Sequence, residues 1–388
     1  MDIAVVGGSL GGLTAACVLA DAGHDVTVFE RSAAELEERG AGIGLLPATY
    51  RYLVERGVEL DTIAVPTNYI RYLARDGSII HEEEHHYLFS SWNTVYRRLL
   101  GFFDRTAYRL GQELRGIELD PLVLRFTNGE TARPDLAVFA DGIGSTARFV
   151  LNREVRPEYS GYVAWRGVVR ETELSDATRL ALDDAITYYL YANSHILVYP
   201  IPGHDGSVSE GARLINFVWY RNYVAGSDLH DLLVDVNGVV REVSVPPGAL
   251  QQHHIDEARA VAAARLPAAI AEVVRTVDDL FVQVVVDLEV PEMVFGHTCL
   301  IGDAAFTVRP HAAAGTAKAA ADAWTLREAL AAHPDDVDAA LAEWEPRQLA
   351  LGRSLLERTR AIGRRSQFDN TWRAGDPELI FGLYGPGE

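Results

Sequence analysis

Lysine is all but missing from this chain: Lys318 stands alone in a Lys+Arg total of 35, against 55 Asp and Glu. The formal charge of -20, with a pI near 5.0, repels phosphate polymers and anionic bilayers, which argues against nucleic acid as a partner. Cysteine is nearly absent too. Cys17 falls in a helical pattern and Cys299 in a strand pattern, so both are expected as buried thiols of a reducing compartment rather than a disulfide. No apolar run is long enough to span a bilayer, and the chain enters the strand pattern Ile3-Ala4-Val5-Val6 without a basic leader, so a cytoplasmic location is expected. What is present is ordinary for a soluble fold, with 48% hydrophobic and 23% charged residues, and 388 residues exceed one small core.

The chain opens as strand, turn, helix, strand: Asp2–Val6, Gly7–Gly12, Leu13–Ala22 and Asp25–Glu30, with Gly23 at a C-cap-like position. That order predicts a parallel sheet. A second Gly-rich loop, Arg39–Pro47, precedes a helical pattern to about Arg56. Tyr69–Tyr87 predicts a hairpin turning at Arg75-Asp76-Gly77-Ser78. Trp92–Leu110 reads as helix, and Leu122–Phe126 and Ala137–Ala140 as strands. Between Tyr159 and Val290 the blocks Tyr162–Arg170, Ala185–Tyr199 and Arg213–Tyr220 predict a mostly antiparallel sheet, with an Ala-dense helical stretch at Gln252–Val277. Strand, turn and helix return at Thr298–Leu330, and Asp335–Arg365 reads as an amphipathic helix packed on the outside. The fold class is therefore α/β. A discontinuous Rossmann-like domain is expected over 1–68, 91–158 and 291–330, interrupted by a β-rich domain from the hairpin 69–90 and residues 159–290, with a helical segment at 331–388.

Three segments carry chemistry. Gly7-Gly8-Ser9-Leu10-Gly11-Gly12 follows a strand and opens a helix, where glycines let the backbone approach a pyrophosphate whose charge the helix N-terminus stabilises. Ser9 stands where the second fingerprint glycine would be. Glu30, ending the second strand, is placed to accept hydrogen bonds from both ribose hydroxyls and to disfavour a 2′-phosphate. The second segment, Ala140-Asp141-Gly142-Ile143-Gly144-Ser145-Thr146-Ala147-Arg148, is an Asp-Gly turn at a strand end. The third is Leu300-Ile301-Gly302-Asp303-Ala304-Ala305, followed by Pro310-His311 and by Gly315-Thr316-Ala317 opening a helix through Leu330. A carboxylate after a buried strand can bind a polyol, and a helix N-terminus can stabilise negative charge on a ring.

In this order and spacing the three segments resemble those of the class A flavoprotein aromatic hydroxylases, the single-component FAD monooxygenases related to para-hydroxybenzoate hydroxylase, over nearly the whole chain. Gly161-Tyr162-Val163-Ala164-Trp165-Arg166-Gly167, Tyr199-Pro200-Ile201-Pro202-Gly203 and Arg309-Pro310-His311-Ala312-Ala313-Ala314-Gly315 are similar to its hydroxypyridine-hydroxylating members in particular, as is Gly315-Thr316-Ala317-Lys318. Phe306 replaces a common His, and Ala313 and Ala317 replace a common Gly and Asn, which moves the chain toward that branch. The resemblance implies an FAD-binding domain of the glutathione reductase type. It implies Gly7, Ser9, Leu10 and Gly12 at the pyrophosphate, Glu30 at the adenosine ribose, and Arg31 and Leu114 at the adenine. Gly42 and Leu46, in the loop Gly40–Pro47, would lie along the flavin, Asp303 on the ribityl chain, and Gly315, Thr316 and Ala317 at the pyrimidine edge. Asp141 would serve both FAD and the nicotinamide donor. Tyr96 falls where many members carry an FAD-contacting Arg, with Arg97 beside it.

The implied reaction is reduction of non-covalent FAD by NADH or NADPH, reaction with O2 to a flavin C4a-hydroperoxide, and hydroxylation of a small electron-rich aromatic or N-heteroaromatic ring of the hydroxypyridine or phenol type. Ionising such a substrate makes its ring more nucleophilic, so a polar group near the pocket should favour the anion. His311 is the first candidate, following a Pro in the loop that leads to the flavin helix. His195 and Tyr199 come next, sharing one strand face with Leu197, and Arg166 could hold an acidic substituent. Lys318 reads as a solvated or salt-bridged helix residue rather than a catalytic group. The run from His81 to His86 alternates faces on a strand and predicts no metal site. The expected partners are the small aromatic substrate and O2, without nucleic acid or membrane, and a homodimer is allowed. Two other functions stay open: an FAD oxidase needing no nicotinamide donor, and a non-catalytic flavin-binding protein. A halogenase would carry Trp-x-Trp-x-Ile-Pro, which none of the six tryptophans fits.

Overall fold

The computed structural model describes residues 1–36 and 42–388, so the first three residues of the Arg39–Pro47 loop lie outside the described residues. Ile3 to Val6 are all buried, as a strand covered on both faces requires. This strand pairs in parallel with Asp25–Phe29 and with Leu136–Phe139, which are extended by Tyr108–Arg109 and Thr298–Leu300 respectively. The expected parallel sheet therefore has five strands gathered from distant parts of the chain. Helices Leu10–Asp21 and Gly315–Ala332 pack on each other so closely that a methyl on Gly11 would sit 2.9 Å from the Ala319 Cβ.

The second sheet has ten strands and is antiparallel except where Ala185–Tyr191 runs parallel to Val65–Leu73. That pairing joins the hairpin Val65–Leu73 and Ile79–Ser91 to Glu158–Arg170, Ser194–Ile201, Leu214–Asn222 and Phe281–Glu289. Strand alternation separates its faces. Ile196 and Val198 join the apolar cluster under helices Gln252–Arg265 and Ala268–Thr276, while Leu197 and Tyr199 join a tyrosine-rich cluster on the other side.

The structure corrects one of these expectations and divides two others. The helix from Trp92 ends at Phe102, and Tyr108–Arg109 is drawn into the parallel sheet to pair with Val28 and Phe29. Ala185–Tyr199 is two strands reversing at Asn193, whose φ of 59° asparagine tolerates. Gln252–Val277 is two helices, because Leu266 is extended ahead of Pro267. Val337–Arg364 is helical as expected, and its buried face, with Trp344, Leu355 and Leu356, packs against its neighbours while the other face stays exposed. Beyond it a π-turn at Arg365–Asp369 returns the chain to the tyrosine-rich face, where Phe381 and Leu383 are buried and Trp372 packs beside them. Cys17 and Cys299 are buried free thiols. Among the described residues no helix is long and apolar enough to cross a membrane.

Candidate active site

A cleft of about 310 Å³ is walled by Gly7, Ser9, Glu30, Arg31, Leu114, Asp141 and Asp303, together with Trp92, Gln112 and Gly142. All three sequence motifs thus reach one cavity. Gly7 has φ 102°, and a Cβ there would lie 2.4 Å from the Ala140 carbonyl oxygen. A Cβ on Gly12 would lie 1.8 Å from the Gly7 oxygen. Ser9 is the N-cap of the following helix but makes no side-chain cap, which leaves the first helical amides for an anion. The buried Glu30 carboxylate accepts from Gly8 N and Ser32 N, both at 2.8 Å, and each oxygen keeps a second lone pair. Leu10 and Gly12 support the turn from beneath, outside the cleft wall.

The Asp-Gly motif is tied to the Gly-Asp motif by Arg148. Its guanidinium donates to the Ala304 carbonyl at 3.0 Å and to the Ile143 carbonyl. Asp141 accepts from Ser145 Oγ at 2.5 Å and Ala147 N at 3.2 Å, bracing Ser145, the N-cap of the helix Thr146–Leu151, while it lines the cleft. Asp303 opens its side chain to the cleft, yet the surrounding protein holds its carboxyl above the ordinary range, opposed by the charges of Lys318 and Arg148. A close-approach turn, an uncapped helix start and acids on opposite walls fit the pyrophosphate, ribose and ribityl groups of FAD. Tyr96 is a correction. It is fully buried, accepts from Leu36 N at 3.0 Å, and lies under Trp92, with ring centroids 4.9 Å apart. The i,i+4 spacing puts both rings on one face, and Trp92 takes the wall.

Leu46 and Gly44, beyond Gly42 in the same loop, meet the start of the helix Gly315–Ala332, while Gly42 itself lies against Tyr199, Asn216 and Ile201. Thr49 and Thr316 hydroxyls are 3.3 Å apart, a Cβ on Gly44 would be 3.1 Å from that of Ala313, and Leu46 shares an apolar cluster with Ala314 and Ala317. Ala314, the N-cap, makes no side-chain cap, so this second helix start also offers free amides. Ala313 keeps φ 52°, a left-handed conformation that costs about 1 kcal/mol where glycine would not. Tyr199 and Arg166, expected against substrate, are instead turned onto Gly42. Its carbonyl accepts from Tyr199 Oη at 3.0 Å and Arg166 Nη2 at 2.9 Å, and its amide donates to Asn216 Oδ1 at 3.0 Å. A buried backbone carbonyl takes the donors nearest to it.

His311 and His195 do converge. Their ring centroids are 5.4 Å apart, each also within 4.7 Å of Tyr220, and Trp372 lies 4.5 Å from His195. Tyr162 Oη is 2.7 Å from His311 Nε2, and Gln367 Nε2 donates to His195 Nδ1 at 3.1 Å. Among the described residues His311 Nδ1 is buried without a partner. His195 and Trp372 also line an open cavity of about 270 Å³. Tyr162, Tyr220, Gln367 and Trp372 were not singled out from the sequence. Gly363 was not either, although a Cβ there would lie 2.4 Å from Tyr162 Oη and 3.0 Å from His311 Nε2. Burial, aided by the Arg309 charge, pushes His311 down to about 3, and burial followed by the neighbouring His311 holds His195 well below its usual range. Both rings are therefore neutral near pH 7. An unfolded histidine titrates near 6.5, so between 6.5 and about 3 the unfolded chain binds protons that the folded chain refuses. Stability should be complete above 6.5 and fall on acidification by about 1.4 kcal/mol per pH unit per histidine. Urea unfolding at stepped pH measures this slope, and His311→Gln should flatten it.

The His81–His86 strand offers no converging ligand set. Among the described residues the one convergent group is Asp231, His253 and His254, away from both cavities' lining residues.

Residues 5–34 match the NAD(P)-binding Rossmann-like domain, and residues 159–287 the FAD binding domain-like family. The chain is 39% identical over 384 residues to 2,6-dihydroxypyridine 3-monooxygenase of Paenarthrobacter nicotinovorans, covering 98% of this chain and 95% of that protein. The structure of 2,6-dihydroxypyridine-3-hydroxylase from Arthrobacter nicotinovorans superposes with a TM-score of 0.94 at 37% identity, covering 100% and 98% of the two chains. Klebsiella pneumoniae HpxO, solved with FAD and uric acid, shares the fold at a TM-score of 0.77 and 22% identity, over 95% of this chain and 90% of its own. With its motifs gathered in one cleft and this likeness over its full length, the chain belongs to the class A flavoprotein aromatic hydroxylases, enzymes that use FAD to hydroxylate aromatic rings.

Proposed function

We propose that this enzyme hydroxylates a small, already hydroxylated N-heteroaromatic ring of the dihydroxypyridine type, with NADH or NADPH as electron donor. The observation that carries this reading is the buried, partnerless Nδ1 of a neutral His311 within a ring of aromatic side chains. FAD, when bound, supplies the reaction with the nicotinamide donor and with O2. The chain's own groups do the rest. The uncapped amides that begin the helix after Ser9, in the tight turn from Gly7 to Gly12, hold the pyrophosphate. Glu30 takes the ribose, Arg31 and Leu114 flank the adenine, and Asp303 takes the ribityl chain. Gly42, Leu46 and the amides of Gly315, Thr316 and Ala317 face the ring, and the helix start stabilises negative charge there.

Tyr199 and Arg166 act through Gly42 by setting the loop against which the ring lies. Arg309 Nη1 stands 3.5 Å from Tyr162 Oη and orients that phenol to donate to His311 Nε2. The imidazole proton then sits on Nδ1, as a donor suited to an ionised substrate oxygen. A neutral His195 with its Nδ1 occupied presents Nε2–H in the same way. A panel of hydroxypyridines and phenols tests the reading, with the purified holoenzyme scored for oxygenated product by mass. Dihydroxypyridines should give product in proportion to the nicotinamide consumed. Nicotinamide loss without product from every hydroxypyridine would overturn the proposed substrate class.

A further inference from the structure

The only lysine in the chain is buried beneath the cofactor cleft, a costly place for a cation. Lys318 is 1% exposed and its Nζ lies 2.7 Å from Oδ2 of Asp322, which is 0% exposed. The same Oδ2 accepts from Gly302 N at 2.8 Å, and Gly302 holds φ 58° immediately before Asp303 on the cleft wall. Gly302 and Gly11 both approach Ala319, where added methyl groups would lie 3.0 and 2.9 Å from its Cβ, so the turn cannot shift without disturbing the fingerprint helix. Asp322 is anchored in its turn by Trp344 Nε1, which donates to its carbonyl at 3.0 Å. A buried ion pair is usually no more stabilising than apolar residues of the same volume, so stability alone gives no reason for this one. Its geometry gives another reason: the Asp322 carboxylate, paired with Lys318, grips the amide that sets the direction of Asp303.

We infer that Lys318 and Asp322 are a positioning pair for the flavin, holding the Gly302–Asp303 turn in the form that receives the ribityl chain. This rests on the assignment of the cleft to FAD. Thermodynamic reciprocity then requires the converse: FAD bound across the turn must suppress the opening that exposes Lys318. As Lys318 carries the only ε-amino group, that opening can be read directly by acylation.

Holoenzyme and flavin-stripped apoprotein are treated with N-hydroxysuccinimidyl acetate at neutral pH, and adducts are counted by intact and peptide mass, with any α-amino adduct as internal reference. Lys318 should acetylate at least tenfold more slowly in the holoenzyme, and at full rate only after unfolding. Equal rates with and without FAD would overturn the inference. Two charge-free double variants then separate positioning from packing. K318M/D322N keeps an amide oxygen for Gly302 N but loses the cation that fixes it, and should bind FAD about threefold to fivefold more weakly than wild type. K318M/D322L removes that acceptor and should bind FAD at least tenfold more weakly in a fluorescence titration, at an apoprotein Tm close to that of K318M/D322N. Wild-type affinity in K318M/D322L would overturn the inference. A wild-type protein that takes up no flavin would instead sink the cofactor reading itself.

Discussion

The Gly12→Ala protein is expected to be colourless. A Cβ at this position would lie 1.8 Å from the Gly7 carbonyl oxygen and 3.0 Å from its carbonyl carbon. Those atoms are backbone, so no rotamer change relieves the clash, and Gly7 cannot retreat because its own missing Cβ already faces the Ala140 oxygen at 2.4 Å. The turn must open, which withdraws the amides after Ser9 from the pyrophosphate and separates the first motif from the second. Losing two or three charge-assisted hydrogen bonds at about 1.5 kcal/mol or more each weakens FAD binding by more than about 100-fold. Flavin content after gel filtration measures it. Gly23→Ala is the control, since Gly23 has φ 91° but no atom within 4 Å. It should cost about 1 kcal/mol of stability and leave the flavin in place. Normal flavin content in Gly12→Ala would remove the fingerprint from the site.

The contrast between these two glycines shows what was legible in the sequence. Gly7, Glu30 and Asp303 could be placed because each sits at a strand end, where the strand–turn–helix order alone decides which way the chain faces. The shared face of His195, Leu197 and Tyr199 followed in the same way from the alternation of one strand. Residues whose roles depend on a partner far along the chain were not legible. Arg148 ties the second motif to the third across 156 residues, and Gln367 reaches His195 across 172. Tyr199 and Arg166 were expected against substrate, and no local pattern could show that the Gly42 carbonyl would claim both. Trp372 and Phe381 lie in a C-terminal stretch with neither helical nor strand periodicity, so only the fold reveals that they complete the aromatic wall.

Replacing His311 by alanine should leave the flavin bound and reducible while hydroxylation falls by about 30- to 150-fold, with hydrogen peroxide taking the place of product. The magnitude follows from the bond at stake. Nδ1 is buried and has no partner among the described residues, so a substrate oxygen is the natural acceptor, and a hydrogen bond to an ionised oxygen in such a place contributes about 2–3 kcal/mol. The sign of the pH effect is also set. With a value near 3, His311 stays neutral throughout the working range and adds no titration of its own. As a donor it favours the substrate anion and lowers the substrate's effective pKa. In His311→Ala that pKa rises, and the acid limb of the kcat profile should move to higher pH. Tyr162→Phe should move the limb in the same direction by less, because the ring stays but loses the phenol that directs its proton to Nδ1. Gly363→Ala, which drives a methyl to within 2.4 Å of Tyr162 Oη, should resemble Tyr162→Phe without removing any polar group. Product yield per nicotinamide consumed, measured across pH for the three variants, decides the matter. Normal coupling and an unmoved acid limb in His311→Ala would exclude this histidine from substrate activation.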